Sequence, residues 1–326
     1  MNYLQSINYF LYNFLKKNKK NIILGEDILD PYGGAFKVTK GLSSEFSDQV
    51  IPMPISEATI AGVGTGLALK KHNVISEIMF GDFLTLCTDQ IVNGMSKFID
   101  LHEDKKILGR YLIRAPMGGY RGYGPTHSQS LESIFLNIPN LSIFSPNIFS
   151  KPNDLLEKIF LEENFSIFIE HKVSYSKQLL PKKRNNFDIK INNHDYFDII
   201  EVFDGIPDYE ILTYGHAAEI ALDSILDIFL KTEKKGKLVI LKKIKPIDYI
   251  FDNHLKSTRL IILEEGIEEN GWGNYFYKYF SLKKRSFDEI LHIGSKNTSI
   301  PSSIKKELEH LPSVDKCVKK IMKILI

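Results

Sequence analysis

Short apolar runs spaced by helix-length segments constrain this chain more than any other feature. NIILGED (Asn21–Asp27), NVISEIMF (Asn73–Phe80), RYLIRAP (Arg110–Pro116), LSIFSP (Leu141–Pro146) and SIFIEHK (Ser166–Lys172) carry mostly continuous rather than alternating hydrophobicity. A strand with one wet face alternates, whereas a strand covered on both faces does not. Between these runs lie segments such as EATIAGVGTGLALKK and NDLLEKIFLEEN, which read as helices. This alternation predicts an α/β fold with a doubly wound, mostly parallel sheet. From about Ser174 to Asp208 the pattern breaks into polar sequence with a proline and paired asparagines, which reads as a linker. EILTYG, AAEIALDSILDIFLKT, KLVILKKI, RLIILEEG and a terminal VDKCVKKIMKIL then predict a second, smaller α/β domain. The expected division is 1–190, including the start of the linker, and 205–326. A chain of 326 residues suits two domains.

The first twenty residues place Leu4, Ile7, Leu11, Phe14 and Leu15 at helical spacing, and their charges follow the apolar part. That order is the reverse of a secretory signal, so an amphipathic first helix is expected. DFLTLCTDQIVNGMSKFIDLH predicts one long helix with Leu86, Ile91, Met95 and Phe98 on its buried side. A formal net charge of +2 and short, separate basic runs give no field for nucleic acid. No apolar run reaches membrane-spanning length. Cys87 and Cys317 stand far apart with no CxxC, which argues against structural zinc and for a reduced, cytoplasmic chain.

Few residues are placed for chemistry. AGVGTG (Ala61–Gly66) lacks the third glycine of a dinucleotide fingerprint at the required spacing, so it reads as helix packing. GGYRGYG lacks the Lys-Ser/Thr of a phosphate-binding P-loop. Glu57, in PISEAT, precedes a small-residue helix where an α/β sheet opens its ligand crevice. It reads either as a functional acid or as an acid stabilised by the helix dipole. His127 ends the glycine-rich loop RAPMGGYRGYGPTHSQS and reads as a loop histidine or a catalytic one. Asp89, on a largely apolar segment, reads as a buried hydrogen-bonded acid or a functional one. Met79 and Phe83, taken alone, read as core.

Five stretches in order, ILGEDILDPYGGAFKVTKGL, PISEATIAGVGTGLAL, EIMFGDFLTLCTDQIVN, IRAPMGGYRGYGPTHSQSLE and LTYGHAAEIAL, give the chain a wider likeness. Together they resemble the β subunit of the E1 component of thiamine-diphosphate-dependent 2-oxo acid dehydrogenases, of the pyruvate or branched-chain type. The resemblance spans almost the whole chain. It implies a pyrimidine-binding domain followed by a transketolase-type C-terminal domain.

The resemblance also implies roles. Thiamine diphosphate reacts after its thiazolium C2 loses a proton to the cofactor's own 4′-imino group. A carboxyl on the pyrimidine N1′ favours that tautomer, and the family's glutamate for this task falls on Glu57. Such a carboxyl works best with a raised pKa. Met79 and Phe83 fall where the family flanks the aminopyrimidine ring. His127 falls on the histidine near the reacting carbon, which orients the substrate carboxylate or serves as acid or base during acyl transfer. Tyr120 and Arg121 fall among candidate substrate contacts. Glu26 and Asp89 fall on acids lining a buried path between paired active sites.

The Mg²⁺-diphosphate motif of these enzymes, GDG with a downstream Asn, is missing, and FGDF (Phe80–Phe83) lacks the second glycine. The resemblance therefore implies an α subunit carrying that motif, an α2β2 assembly, docking to a lipoyl-bearing E2 core and a small 2-oxo acid substrate. A monovalent-cation site near FLEEN is a further family feature. The middle of the glycine loop, a long linker and EEGIEENGWGNYF (Glu264–Phe276) depart from the commonest pyruvate-type wording. They leave open an acyloin-forming or split transketolase-like subunit in a specialised pathway. A non-catalytic scaffold subunit is a third reading.

Overall fold

The computed structural model describes residues 1–101, 108–247, 249–283 and 285–325. The chain divides into two compact units. The first holds residues 1–117, 135–146 and 151–178; the second holds 118–134, 147–150 and 179–326.

The first unit contains strands β1 (Asn21–Gly25), β2 (Val50–Pro52), β3 (Asn73–Glu77), β4 (Tyr111–Met117), β5 (Ser142–Phe144) and β6 (Phe165–His171). Its helices are α1 (Tyr3–Lys17), the single turn α2 (Leu42–Glu45), α3 (Glu57–Leu69), α4 (Ser96–Leu101) and α5 (Pro152–Glu162). These strands run β5-β6-β4-β3-β1-β2 and every pair is parallel. Every residue of β1, β4 and β6 is buried, as strands covered on both faces require.

Helix α1 begins with a capping box. Asn2 Oδ1 accepts from the Gln5 amide at 2.8 Å, and Gln5 Oε1 accepts from the Asn2 amide at 2.9 Å. It buries Tyr3, Ile7, Phe10, Leu11, Phe14 and Leu15, and ends on Lys16 and Lys17, whose charges suit the helix C-terminus. Leu4 is only half-buried. Helix α3 lies tight against β4: a Cβ on Gly64 would come within 2.5 Å of the Tyr111 hydroxyl. That hydroxyl donates to Ser76 Oγ at 3.0 Å. The small-residue run is therefore a packing surface, as its sequence predicts.

The long helix expected after Phe80 does not form. Gly81–Cys87 winds as a 3-10 helix, Gln90–Met95 as a π-helix, and only then does α4 follow. Gly94 takes ψ −107°, outside helical geometry. Changing residues per turn shifts the phase of the buried stripe. Ile91 and Met95 are buried as expected, but Leu86 and Phe98 are 57% and 38% exposed.

The second unit contains the hairpin β7 (Lys183–Arg184) and β8 (Phe187–Asp188), then β9 (Lys190–Asn193), β10 (Phe197–Glu201), β11 (Tyr209–Tyr214), β12 (Gly236–Leu241), β13 (Lys243–Lys245), β14 (Arg259–Ile267) and β15 (Glu289–Ser295). Its helices are α6 (Ala217–Thr232), α7 (Asn274–Leu282), α8 (Ile304–His310) and α9 (Val314–Leu325). The main sheet runs β15-β14-β11-β12-β10-β9. It is parallel through β15, β14, β11 and β12, and antiparallel at β12-β10 and β10-β9. The polar segment read as a linker thus supplies the two antiparallel strands at one edge. The longest segment of the second unit begins within it, at Leu179. No helix among the described residues is long and apolar enough to cross a membrane.

One buried ion network ties three strands of the first unit. Arg114, 1% exposed, donates through Nε and Nη2 to Glu170 at 2.6 Å each and through Nη1 to Glu77. The Tyr175 hydroxyl donates to Glu170 at 2.7 Å. Burial pushes the Glu77 carboxyl up, and the Arg114 charge opposes the rise. Arg114→Met should leave two buried carboxylates without their cation. We expect a loss of about 3–5 kcal/mol in urea unfolding. An unchanged midpoint would show that the network contributes nothing net.

Candidate functional site

The carboxyl ends of parallel strands face the ligand crevice in open α/β sheets. In the first unit the residues singled out from sequence gather there. Glu26 follows β1 directly, Glu57 opens α3 after β2, and Met79 and Phe83 follow β3. Glu57 is 7% exposed, and its carboxylate makes no side-chain hydrogen bond among the described residues. It occupies the first turn of α3, where the helix dipole favours a negative charge.

Glu26 is buried beside it. It accepts a hydrogen bond from the Ser56 amide, yet Glu26 Oε1 has no partner among the described residues. Burial pushes the Glu26 carboxyl up, and the nearby Glu57 charge adds to the rise. Glu26 is thus the acid of this cluster whose neutral form the surroundings favour.

Cys87 completes this cluster, and nothing in the sequence marked it. Its thiol is buried and donates to the Glu57 carbonyl at 3.3 Å. Burial, together with the Glu57 and Glu26 charges, pushes it up to about 12. A thiol held protonated in this way is no nucleophile at neutral pH. It packs the first turn of α3 against the segment carrying Phe83. Phe83 and Met79 are both half-buried. The Phe83 ring meets Phe80 edge-on at 5.8 Å, and Phe80 meets Phe36 at 5.7 Å. Phe36, Phe80 and Phe83 thus form one aromatic cluster.

Asp89 does not join them. It is exposed and accepts from Asn93 Nδ2 at 2.7 Å and from Gln90 Nε2 at 3.2 Å. The expected buried or crevice-lining acid is a surface acid, because the π-helical winding after it alters which residues turn inward.

Tyr120, Arg121 and His127 belong to the second unit with the rest of Gly118–Ile134. Two buried carboxylates clamp that loop by its backbone. Glu265 Oε1 accepts from the Gly119 amide at 2.6 Å, and Glu307 Oε1 accepts from the Arg121 amide at 3.2 Å. The chain passes so close that a Cβ on Gly119 would fall 2.5 Å from Leu311 Cδ1. Tyr120 has φ +66° and donates its hydroxyl to the Pro312 carbonyl at 2.9 Å. It also meets His216 edge-on at 5.3 Å. Arg121 is exposed and lies 5.4 Å from the Tyr123 ring centre. His127 is half-buried, with Nδ1 2.8 Å from Thr126 Oγ1. The glycines thus let the loop lie flat on its unit, with the histidine beyond the clamp.

Sequence reading also missed Glu132, at the far end of this loop. Its carboxylate accepts from the Tyr214 hydroxyl. Nearby, Glu264 accepts from His292 Nε2 at 2.6 Å and from the Gly273 amide at 2.7 Å. Burial pushes the Glu132 carboxyl up to about 7, against the Tyr214 hydrogen bond and with help from the Glu264 and Glu265 charges. The folded value lies above the ordinary 4.5. The folded state therefore holds this proton more tightly than the unfolded state does. That contribution is full below about 4.5, falls as pH rises, and is gone above about 7, a change on the order of 3 kcal/mol. Glu132→Gln keeps an acceptor for Tyr214 and cannot ionise. Its melting temperature should exceed that of the parent at pH 8, with the gap closing as pH falls towards 4.5. A gap that stays constant with pH would contradict the assignment.

Among the described residues, no group of three or more His, Cys, Asp or Glu side chains is placed to hold a metal ion.

Comparison with known proteins places the chain in a family. Residues 1–178 match the family model of the transketolase pyrimidine-binding domain. The chain is 29% identical over 275 residues to the 2-oxoisovalerate dehydrogenase subunit beta of Bacillus subtilis (strain 168), covering 82% of this chain and 80% of that one. It is 31% identical over 268 residues to the pyruvate dehydrogenase E1 component subunit beta of Gracilaria tenuistipitata var. liui, covering 79% and 78%. Among solved structures, a split-gene transketolase described as an inactive beta4 tetramer superposes with a TM-score of 0.73 at 16% identity, covering 98% and 97%. The last likeness shows the fold. With a matched domain over more than half its length and relatives of this identity and coverage, the chain belongs to the transketolase-like E1 β-subunit family of 2-oxo acid dehydrogenases, a family that works with thiamine diphosphate.

Proposed function

We propose that this chain is the β half of a heteromeric E1 that decarboxylates a small 2-oxo acid and passes the acyl group to lipoamide. The observation that carries the proposal is Glu57: a buried carboxylate at the start of α3, without a side-chain partner among the described residues and next to a second acid. Glu26 Oε1, buried without a hydrogen-bond partner among the described residues, supports a polar group from outside the chain at the same place. Both observations fit the pyrimidine of thiamine diphosphate.

In this reading Glu57 hydrogen-bonds the pyrimidine N1′, Met79 and Phe83 flank the ring, and Glu26 backs Glu57. When bound, thiamine diphosphate supplies a thiazolium carbon that becomes nucleophilic on losing its proton. Glu57 would accept from or donate to N1′ as the ring changes tautomer, with Glu26 buried beside it. His127 holds the substrate carboxylate or exchanges a proton during acyl transfer. Arg121 remains a substrate contact in this reading. Tyr120 acts instead by anchoring the loop, since its hydroxyl is committed to Pro312. The α partner supplies the Mg²⁺-diphosphate half in an α2β2 assembly, and an E2 core accepts the acyl group. The free, buried thiols of Cys87 and Cys317 support a reducing, cytoplasmic setting.

The test is product analysis. The reconstituted complex is given pyruvate and branched-chain 2-oxo acids, with lipoamide or with an aldehyde acceptor. Carbon dioxide with acyl-lipoamide supports the proposal. An acyloin with the aldehyde, and no acyl-lipoamide, would replace it with the ligase reading.

A further inference from the structure

The second unit holds a cavity of about 340 Å³ that the reaction above does not use. Lys296, His310, Lys316, Lys319, Lys320 and Lys323 line it, with Glu268 as its one acid. Four of the lysines come from α9, where positions 316, 319, 320 and 323 share one face. The opposite face buries Cys317, Val318 and Ile321.

Glu268 takes up one charge, through Lys320 at 2.8 Å. The Lys316 ammonium is held by the carbonyls of Glu309 and, at 2.7 Å, Leu311. Lys296, Lys319 and Lys323 form no ion pair among the described residues. His310 is 6% exposed, with Nδ1 3.5 Å from Thr298 Oγ1; its other ring nitrogen has no partner among the described residues.

A solvated lysine face is the simpler account of such a helix. It accounts for neither the cavity nor a buried imidazole in its lining. Glu268 offsets only part of the positive charge there. Burial and the Lys296 charge hold Lys316 below its ordinary value. Burial, Lys296 and Lys316 do the same to His310. A volume within the ~300–1,000 Å³ of small-molecule sites favours a compact ligand over a protein segment.

We propose that this cavity binds a small organic polyphosphate, with Lys296, Lys319 and Lys323 meeting the phosphates and His310 donating from the cavity wall. Ammonium groups meet phosphate oxygens as point charges, and a charge-assisted bond from His310 adds direction.

The experiment is calorimetric titration of the full-length chain with inorganic pyrophosphate, with ADP and with a hepta-glutamate peptide. The chain is used as wild type and as Lys319→Ala/Lys323→Ala. Both substituted lysines are exposed, so the variant should melt with the parent. Imidazole NMR signals report on His310. The expected result is one saturable site for pyrophosphate, weakened about tenfold in the variant, with the His310 signal shifting on binding. ADP binding tighter than pyrophosphate supports a nucleotide as the natural ligand, and equal binding supports a free polyphosphate. The proposal is overturned by no saturation up to about 10 mM pyrophosphate. Equal affinity in the variant, or binding of the peptide alone, also overturns it.

Discussion

Glu57→Gln should lower turnover of the assembled enzyme about a hundred- to ten-thousand-fold, the range for losing a positioned proton-transfer group. Glutamine keeps the volume and the start of α3, so the fold should stand. It loses the negative charge and the ability to take up a proton. Glu57 is 7% exposed and its carboxylate has no side-chain hydrogen bond among the described residues, so no side-chain partnership is sacrificed. Exchange of the C2 hydrogen of bound thiamine diphosphate, followed by NMR in deuterated buffer, should slow in parallel with turnover. Near-parental exchange and turnover would remove Glu57 from the chemistry and leave it as a helix N-terminal acid.

His127→Asn should give a different signature. Turnover should fall by about a hundredfold or more, while C2 exchange stays near that of the parent. The reason is placement: His127 belongs to the clamped loop of the second unit, and the acid cluster belongs to the first. The Glu265 and Glu307 clamps do not involve its side chain, so asparagine should not release the loop. If both exchange and turnover collapse, His127 acts on cofactor activation. If neither changes, the glycine loop presents a structural histidine.

The strands of the first unit and helix α1 were legible in sequence because burial on both faces, or on one helical stripe, leaves a periodic trace. The place of Glu57 in the fold was legible because it stands between a strand and a small-residue helix. Other features left less trace. β9 carries KINN, with exposed ends, a half-buried centre and no fully buried residue, so an edge strand looked like a polar linker. The break between Phe80 and Leu101 depends on the backbone of Gly94, and periodicity continues across it regardless. The loop clamps join residues 146 and 186 apart in sequence, and no local pattern announces such pairs. Cys87 and Glu132 owe their roles first to burial and then to the charges around them in space. Asp89 was misplaced for the reason Leu86 was: a helix of changing pitch does not keep one face inward.

The central claim is that this chain forms one half of a site completed by another. Its most direct test is gentle affinity purification of the chain from its own cells, with mass spectrometry of whatever remains bound. The account predicts a stoichiometric partner carrying GDG and a downstream Asn, with thiamine diphosphate recovered from the complex and a lipoyl protein alongside. Recovery of the chain alone, with no such partner and no cofactor, would contradict it and favour a scaffold role.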